Sequence, residues 1–161
     1  MSNKIIKVAL LDMYNGERNQ GMRCIIDVVN RFSPVVSFEI FDVRVKCELP
    51  DINNFDIYIS TGGPGNPLIG DGNWDTKYYD FIDALNKWNN ENPVKKHVLF
   101  ICHSFQMACL HFGLATVTKR NDTSFGVMTI HKTKEGATDS LFEGLADPFY
   151  GIDSRDYQVV Q

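Results

Sequence analysis

The chain has 161 residues, 43% of them hydrophobic and 22% charged, with a formal net charge of −4. That length suits one ordinary domain, and the apolar content is enough for a full core, which excludes a disordered chain. The mild acidity and the lack of a Lys/Arg block exclude a nucleic-acid or anionic-membrane binder. No apolar run approaches the ~20 residues of a membrane span.

Met1-Ser2-Asn3-Lys4 leads straight into a strand-like run, without the apolar region of a secretory signal. Ile5 to Asp12 is continuously apolar, as in a strand of a parallel sheet covered on both faces. Residues 17–32 read as a helix, because Met22, Ile25, Ile26, Val29 and Phe32 recur at spacings of three and four. Val35 to Val43 and Asp56 to Ser60 read as the next two strands. Residues 61–74, TGGPGNPLIGDGNW, hold five of the twelve glycines and two of the six prolines, so they form a loop. A loop of this length in a compact domain is often functional.

Asp75 to Asn90 reads as a second helix, with Asp71 as a turn residue and Asp75 as its cap. Trp74, Tyr78 and Tyr79 read as packing residues. His97 to Ile101 is a fourth strand, and Ser104 to Phe112 a nearly all-apolar, buried helix. Ala115 to Thr118 and Phe125 to His131 read as further strands, and Ser140 to Leu145 as a short helical turn. This alternation predicts one α/β domain over residues 1–161. Its plan is three-layer and doubly wound, with a mostly parallel, flavodoxin-like sheet.

In such sheets ligands collect beyond the carboxyl ends of the strands. The glycine loop and Cys102 both fall at such ends. A nucleophile on a sharp strand-to-helix turn is exposed at the rim. The helix N-terminus favours a thiolate there. Its first backbone N–H groups can meet an oxyanion, and such a donor is worth ~3–4 kcal/mol. The backbone N–H of His103 is one such donor, and a glycine of the loop can supply the second. The plain alternative is that Cys102 is a small core residue, which is how Cys24 and Cys109 are read.

The four cysteines show no CxxC spacing, so neither a disulfide framework nor a zinc site is expected. A reduced, cytoplasmic compartment fits them. His97 reads as the polar start of a strand. His111 and His131 read as satisfied surface or core residues. No organic cofactor or metal is implied.

STGGPGNP (60–67) resembles the glycine-rich oxyanion strand of class I glutamine amidotransferases, and ICHSFQ (101–106) resembles their nucleophile motif, GxCxGxQ. FGVMTIHKTKEGATDSLFEGL (125–145) is similar to the later family segment that ends in an LFxGL turn. The likeness extends to the glutaminase domain of GMP synthase. It implies a hydrolase that releases ammonia from glutamine through a cysteine thioester. Carried over, Cys102 is the nucleophile, and the backbones of Gly63 and His103 form the oxyanion hole. Gln106, Phe125 and Gly126 hold the substrate. Glutamine or a related amide is the implied substrate, and a synthase the implied partner taking the ammonia. A homodimer is compatible with this reading.

The sequence departs from the pattern at three places. Ser104 stands where the motif has glycine, which predicts a looser or reshaped corner. Arg155 stands at a histidine position of the family. None of His97, His103, His111 and His131 is followed two residues on by the glutamate of the family's His-x-Glu pair. The expectation drawn from this is a chain truncated at its C-terminus. Two other readings stay open. ICHS also resembles the PfpI-type cysteine hydrolases and chaperones, in which His103 would partner Cys102. A non-catalytic domain that binds through the same rim is the third.

Overall fold

A computed structural model describes residues 4–160. The described residues divide into two compact units: 4–117 with 159–160, and 118–158. In the first unit the elements are β1 (Ile6–Asp12), α1 (Gln20–Asn30), β2 (Val36–Asp42), β3 (Ile57–Ser60), α2 (Trp74–Glu91), β4 (His97–Phe100) and α3 (His103–His111). The four strands form one sheet in the order β2-β1-β3-β4, and every pair is parallel. All four carboxyl ends therefore lie along one edge.

The continuous apolar run of β1 is explained by burial on both faces. Val8 and Leu10 pack with Met22, Ile25, Ile26 and Val29 of α1. Ala9 and Leu11, with the following Met13, pack with Trp74, Tyr78, Phe81, Ile82 and Leu85 of α2 and with Met107 of α3. Alternate residues of one strand thus feed two layers, which is the period of a strand expressed as architecture. Fully burying a Leu- or Ile-sized side chain stabilises by about 1.5–3 kcal/mol, so these two layers hold the sheet between them.

Three expectations are corrected here. Helix α1 starts at Gln20 and not at residue 17, because the Asn19 side chain accepts the Gly21 N–H at 2.6 Å and caps it. Cys24 is exposed, not core, since it lies opposite the stripe of Met22, Ile25, Ile26 and Val29. Asp75 is not the cap of α2: the cap position is Asn73, and the Asp71 Oδ1 accepts the N–H groups of Asn73 and Trp74 at 2.8 and 3.3 Å. Asp75 lies one residue inside the helix and is buried. The reading of Asp71 as a turn residue stands, as do those of Trp74 and Tyr78 as packing residues.

The second unit carries most of β5 (Thr116–Ile130) and β6 (Phe149–Val160), which pair as a two-stranded sheet. Two short strands were expected where β5 runs unbroken. Its middle, Lys119 to Thr123, is polar and mostly open to water, and polarity alone suggests a loop. Ser124 Oγ donates to Asp153 at 2.7 Å and Thr123 Oγ1 to Asp156 at 2.5 Å across the ribbon. Arg155 pairs with Asp153 at 2.9 Å. A 3-10 turn at Ser140–Phe142 stands where the short helical turn was expected. Among the described residues no helix is long and apolar enough to cross a membrane.

Candidate active site

Cys102 occupies the corner between β4 and α3. It is the N-cap of α3, with φ +51° and ψ −103°. Both angles together lie outside the ordinary left-handed well, where few side-chain-bearing residues are found. Such a residue stores on the order of 1–3 kcal/mol and persists only where its surroundings over-determine it. The thiol is exposed. A small core cysteine has neither the strain nor the exposure.

The determining contacts are buried beneath the corner. The Ile101 N–H is shared between the Ser60 carbonyl at 3.0 Å and the Ser104 Oγ at 3.0 Å. The Ser104 hydroxyl in turn donates to the Ser60 carbonyl at 2.8 Å. The Gln106 N–H closes the first helical turn on the Cys102 carbonyl at 2.9 Å. Ser104 is fully buried. The serine expected to loosen the corner ties it instead, because its hydroxyl is satisfied both as donor and as acceptor. Ser60 Oγ and the Tyr78 hydroxyl lie 2.8 Å apart, both buried, and extend this polar cluster to α2.

The glycine loop begins directly after β3. Thr61 Oγ1 accepts the Met13 N–H at 2.9 Å and donates to the Gly62 carbonyl at 2.9 Å, which binds the loop to the end of β1. A Cβ on Gly62 would sit 3.3 Å from the Cys102 Cβ and 3.7 Å from the Tyr14 hydroxyl. A Cβ on Gly63 would overlap the Met13 carbonyl. Backbone meets backbone there, and only glycine permits it. Arg44 adds a clamp: its Nη1 donates to the Pro64 carbonyl at 2.6 Å and the Met13 carbonyl at 3.3 Å, and its guanidinium lies 4.8 Å from the Trp74 ring centroid. The glycine loop and Cys102, expected on one rim, do meet there, at Gly62.

His103 is 4% exposed, and burial, then the Arg44 charge, push its pKa down to about 4. Its folded pKa lies below the unfolded value near 6.5, so the unfolded chain binds more protons between those limits. Stability from this residue is full above pH ~6.5 and is lost as pH falls through 4. The shift corresponds to roughly 3 kcal/mol. His103→Gln should therefore flatten the loss of thermal stability between pH 7 and pH 4, measured as melting temperature against pH; an unchanged slope would refute the assignment.

Gln106 lies one turn into α3 and is buried. Phe125 and Gly126 lie on β5 in the second unit, Phe125 exposed and Gly126 at φ +136°. His111 stacks on Tyr79 and meets Asp83 at 2.8 Å, so it is a satisfied residue as expected. His97 begins β4.

Tyr14 is the residue that the sequence reading missed. Its hydroxyl faces the same point beside Gly62 as Cys102, and Gly21 of α1 leaves room for it. Burial, then the neighbouring Cys102, raises the phenol pKa. A signal was present: Tyr14 follows β1 by two residues, and the end of β1 shares the edge with those of β3 and β4. Tyr14→Phe should change alkylation of Cys102 severalfold with the melting temperature kept, because the phenol and the thiol are electrostatically coupled. Unchanged alkylation would remove Tyr14 from the site.

No protein-family model matches the chain, and no curated protein matches it. Solved structures do match. A glutamine amidotransferase from Thermotoga maritima superposes with a TM-score of 0.77 at 17% identity, over 96% of this chain and 62% of that one. The protein SMU.1228c superposes with a TM-score of 0.67 at 19% identity, over 94% of this chain and 62% of its own. The chain therefore spans about 62% of the length of these neighbours. At these identities the likeness is one of fold. The chain has the flavodoxin-like α/β fold seen in that glutamine amidotransferase, and the comparisons do not single out GMP synthase.

Proposed function

We propose that the chain carries a glutaminase-type site of the class I amidotransferase kind, with Cys102 as its nucleophile. The observation that carries the reading is the exposed Cys102 at φ +51° and ψ −103°, capping α3 beside the glycine loop. Fold analogy raises the case but does not make it, because one fold hosts many chemistries.

In this reading the Cys102 thiolate attacks the side-chain carbonyl carbon of glutamine. A C–S bond forms, and the carbonyl electrons become an oxyanion. The backbone N–H groups of Gly63 and His103 receive that charge. The C–N bond then breaks, the nitrogen takes a proton from solvent water, to which a proton returns when the thioester is hydrolysed, and ammonia leaves. Water adds to the thioester, the sulfur departs as thiolate, and glutamate is released. Gln106, Phe125 and Gly126 are proposed as the substrate-holding residues. A synthase that takes the ammonia, homodimer formation, a cytoplasmic location and kinship with the GMP synthase domain belong to the same proposal.

Burial of His103 favours the amidotransferase reading over the PfpI-type one. An imidazole with a pKa of about 4 is a weak base for a thiol near neutrality. The non-catalytic reading predicts no covalent step. Acid quenching the protein during incubation with glutamine tests the choice. A glutamyl mass increment on the Cys102 peptide, removed by hydroxylamine, is expected. An increment on no cysteine, or on Cys24 or Cys47, would overturn the proposal.

A further inference from the structure

We propose that Ser104 is a positioning residue: its buried hydroxyl locks the strained conformation of Cys102 and thereby sets the reactivity of the thiol. The inference rests on the reading of Cys102 as nucleophile and adds to it a device that the glycine of the family motif cannot provide.

The argument starts from the strain. Cys102 holds a backbone conformation that a residue with a side chain leaves when it can. Two neighbours flank it, Ile101 and His103. The residue before it is pinned by four contacts: Ile101 N–H to Ser60 carbonyl, Ile101 N–H to Ser104 Oγ, and the Ser104 hydroxyl to the Ser60 carbonyl and, at 3.2 Å, to the Ile101 carbonyl. The Ser104 N–H returns to the Ile101 carbonyl at 3.2 Å. Ser104 thus grips both polar groups of the residue that precedes the nucleophile. Ser60 and Ser104 are fully buried, so water cannot replace a lost partner. Glycine at 104 would keep the N–H contact and lose all three hydroxyl contacts, leaving the Ser60 carbonyl short of one donor.

Cys102 also stands at the first free turn of α3, where the N–H groups and helix dipole favour a thiolate. That benefit needs the sulfur held over the helix end. If the clamp is released, the corner relaxes and the sulfur leaves that position. The thiolate is then stabilised less, and alkylation slows most near neutral pH.

Tyr78 provides the internal control. Its hydroxyl reaches the Ser60 Oγ and the Ser104 side chain, but neither group of Ile101. Removing it takes a buried hydrogen bond from the same cluster without opening the clamp. A merely structural Ser104 would behave like Tyr78.

The test is site-resolved alkylation of the full chain by iodoacetamide, followed by mass spectrometry from pH 5 to pH 10, with melting temperatures measured in parallel. The proteins are wild type, Ser104→Ala, Ser104→Gly and Tyr78→Phe. The two Ser104 variants should alkylate at Cys102 about tenfold more slowly at pH 7, with the half-maximal rate moved up by about one pH unit. Tyr78→Phe should lower the melting temperature and keep the wild-type profile within about twofold. If Ser104→Ala does not fold, Ser104→Gly decides, since the motif itself carries glycine there. Ser104 variants that lose stability yet keep the wild-type profile overturn the clamp and leave Cys102 as nucleophile. A wild-type Cys102 no faster than the exposed Cys24 overturns both.

Discussion

Under the proposed mechanism, Cys102→Ala is expected to abolish glutamine hydrolysis, by on the order of 10⁴-fold or more, because a covalent route has no substitute once its nucleophile is gone. Cys102→Gly should have the same kinetic outcome with an opposite effect on stability. Glycine accepts φ +51° and ψ −103° without a Cβ penalty, so the strain of about 1–3 kcal/mol is released. Part of that gain is offset by the larger chain entropy of unfolded glycine, at about 0.5–1 kcal/mol. A net gain of about 1 kcal/mol, read from chemical denaturation, should accompany total loss of turnover. Inactivity with added stability is the signature of a residue strained for function. A Cys102→Gly protein less stable than wild type would mean that the thiol contributes packing, and that the corner is structural.

Gly63→Ala should have the second-largest effect. The added methyl group would fall on the Met13 carbonyl, a backbone atom at the end of β1 that cannot swing aside as a side chain can. The loop must lift, and it is held from the other side by Arg44 on the Pro64 carbonyl at 2.6 Å. Lifting the loop breaks this bond or drags Arg44 off Trp74. In the proposed mechanism it also displaces an oxyanion donor, worth about 10²–10³ in turnover. The expectation is a loss of that size with the Cys102 alkylation rate reduced far less, because alkylation by a haloacetamide builds no oxyanion. Equal losses in both assays would place the effect on the Cys102 corner, and no loss in either would free Gly63 from the site.

The legible parts of this molecule were those written in periodicity. The strands β1 to β4, the helices α1 to α3 and their order follow from runs of apolar residues. The shared rim follows from parallel topology alone, and the contact of Gly62 with Cys102 bears it out. The illegible parts depend on single polar atoms. Asn19 ends the helix pattern of 17–32 early by capping at Gly21, which periodicity cannot see. Cys24 is polar-faced by its angle around α1, a count that apolar type alone obscures. Ser104 was read through the motif, where it is a departure, and one of its hydroxyl contacts lies 44 residues away at Ser60. The polar middle of β5 hid a continuous strand, because between the buried Val117 and Ser124 it is polar and mostly exposed, with no apolar alternation to mark it.

Intact and peptide mass spectrometry after treatment with a glutamine-mimicking chloroketone, with and without excess glutamine, tests the central claim most directly. One adduct on Cys102, suppressed by glutamine, is the predicted result. It would join the strained corner to a glutamine-shaped site. An adduct spread over Cys24 and Cys47, or one on Cys102 that glutamine does not suppress, would contradict it and leave the fold without this chemistry.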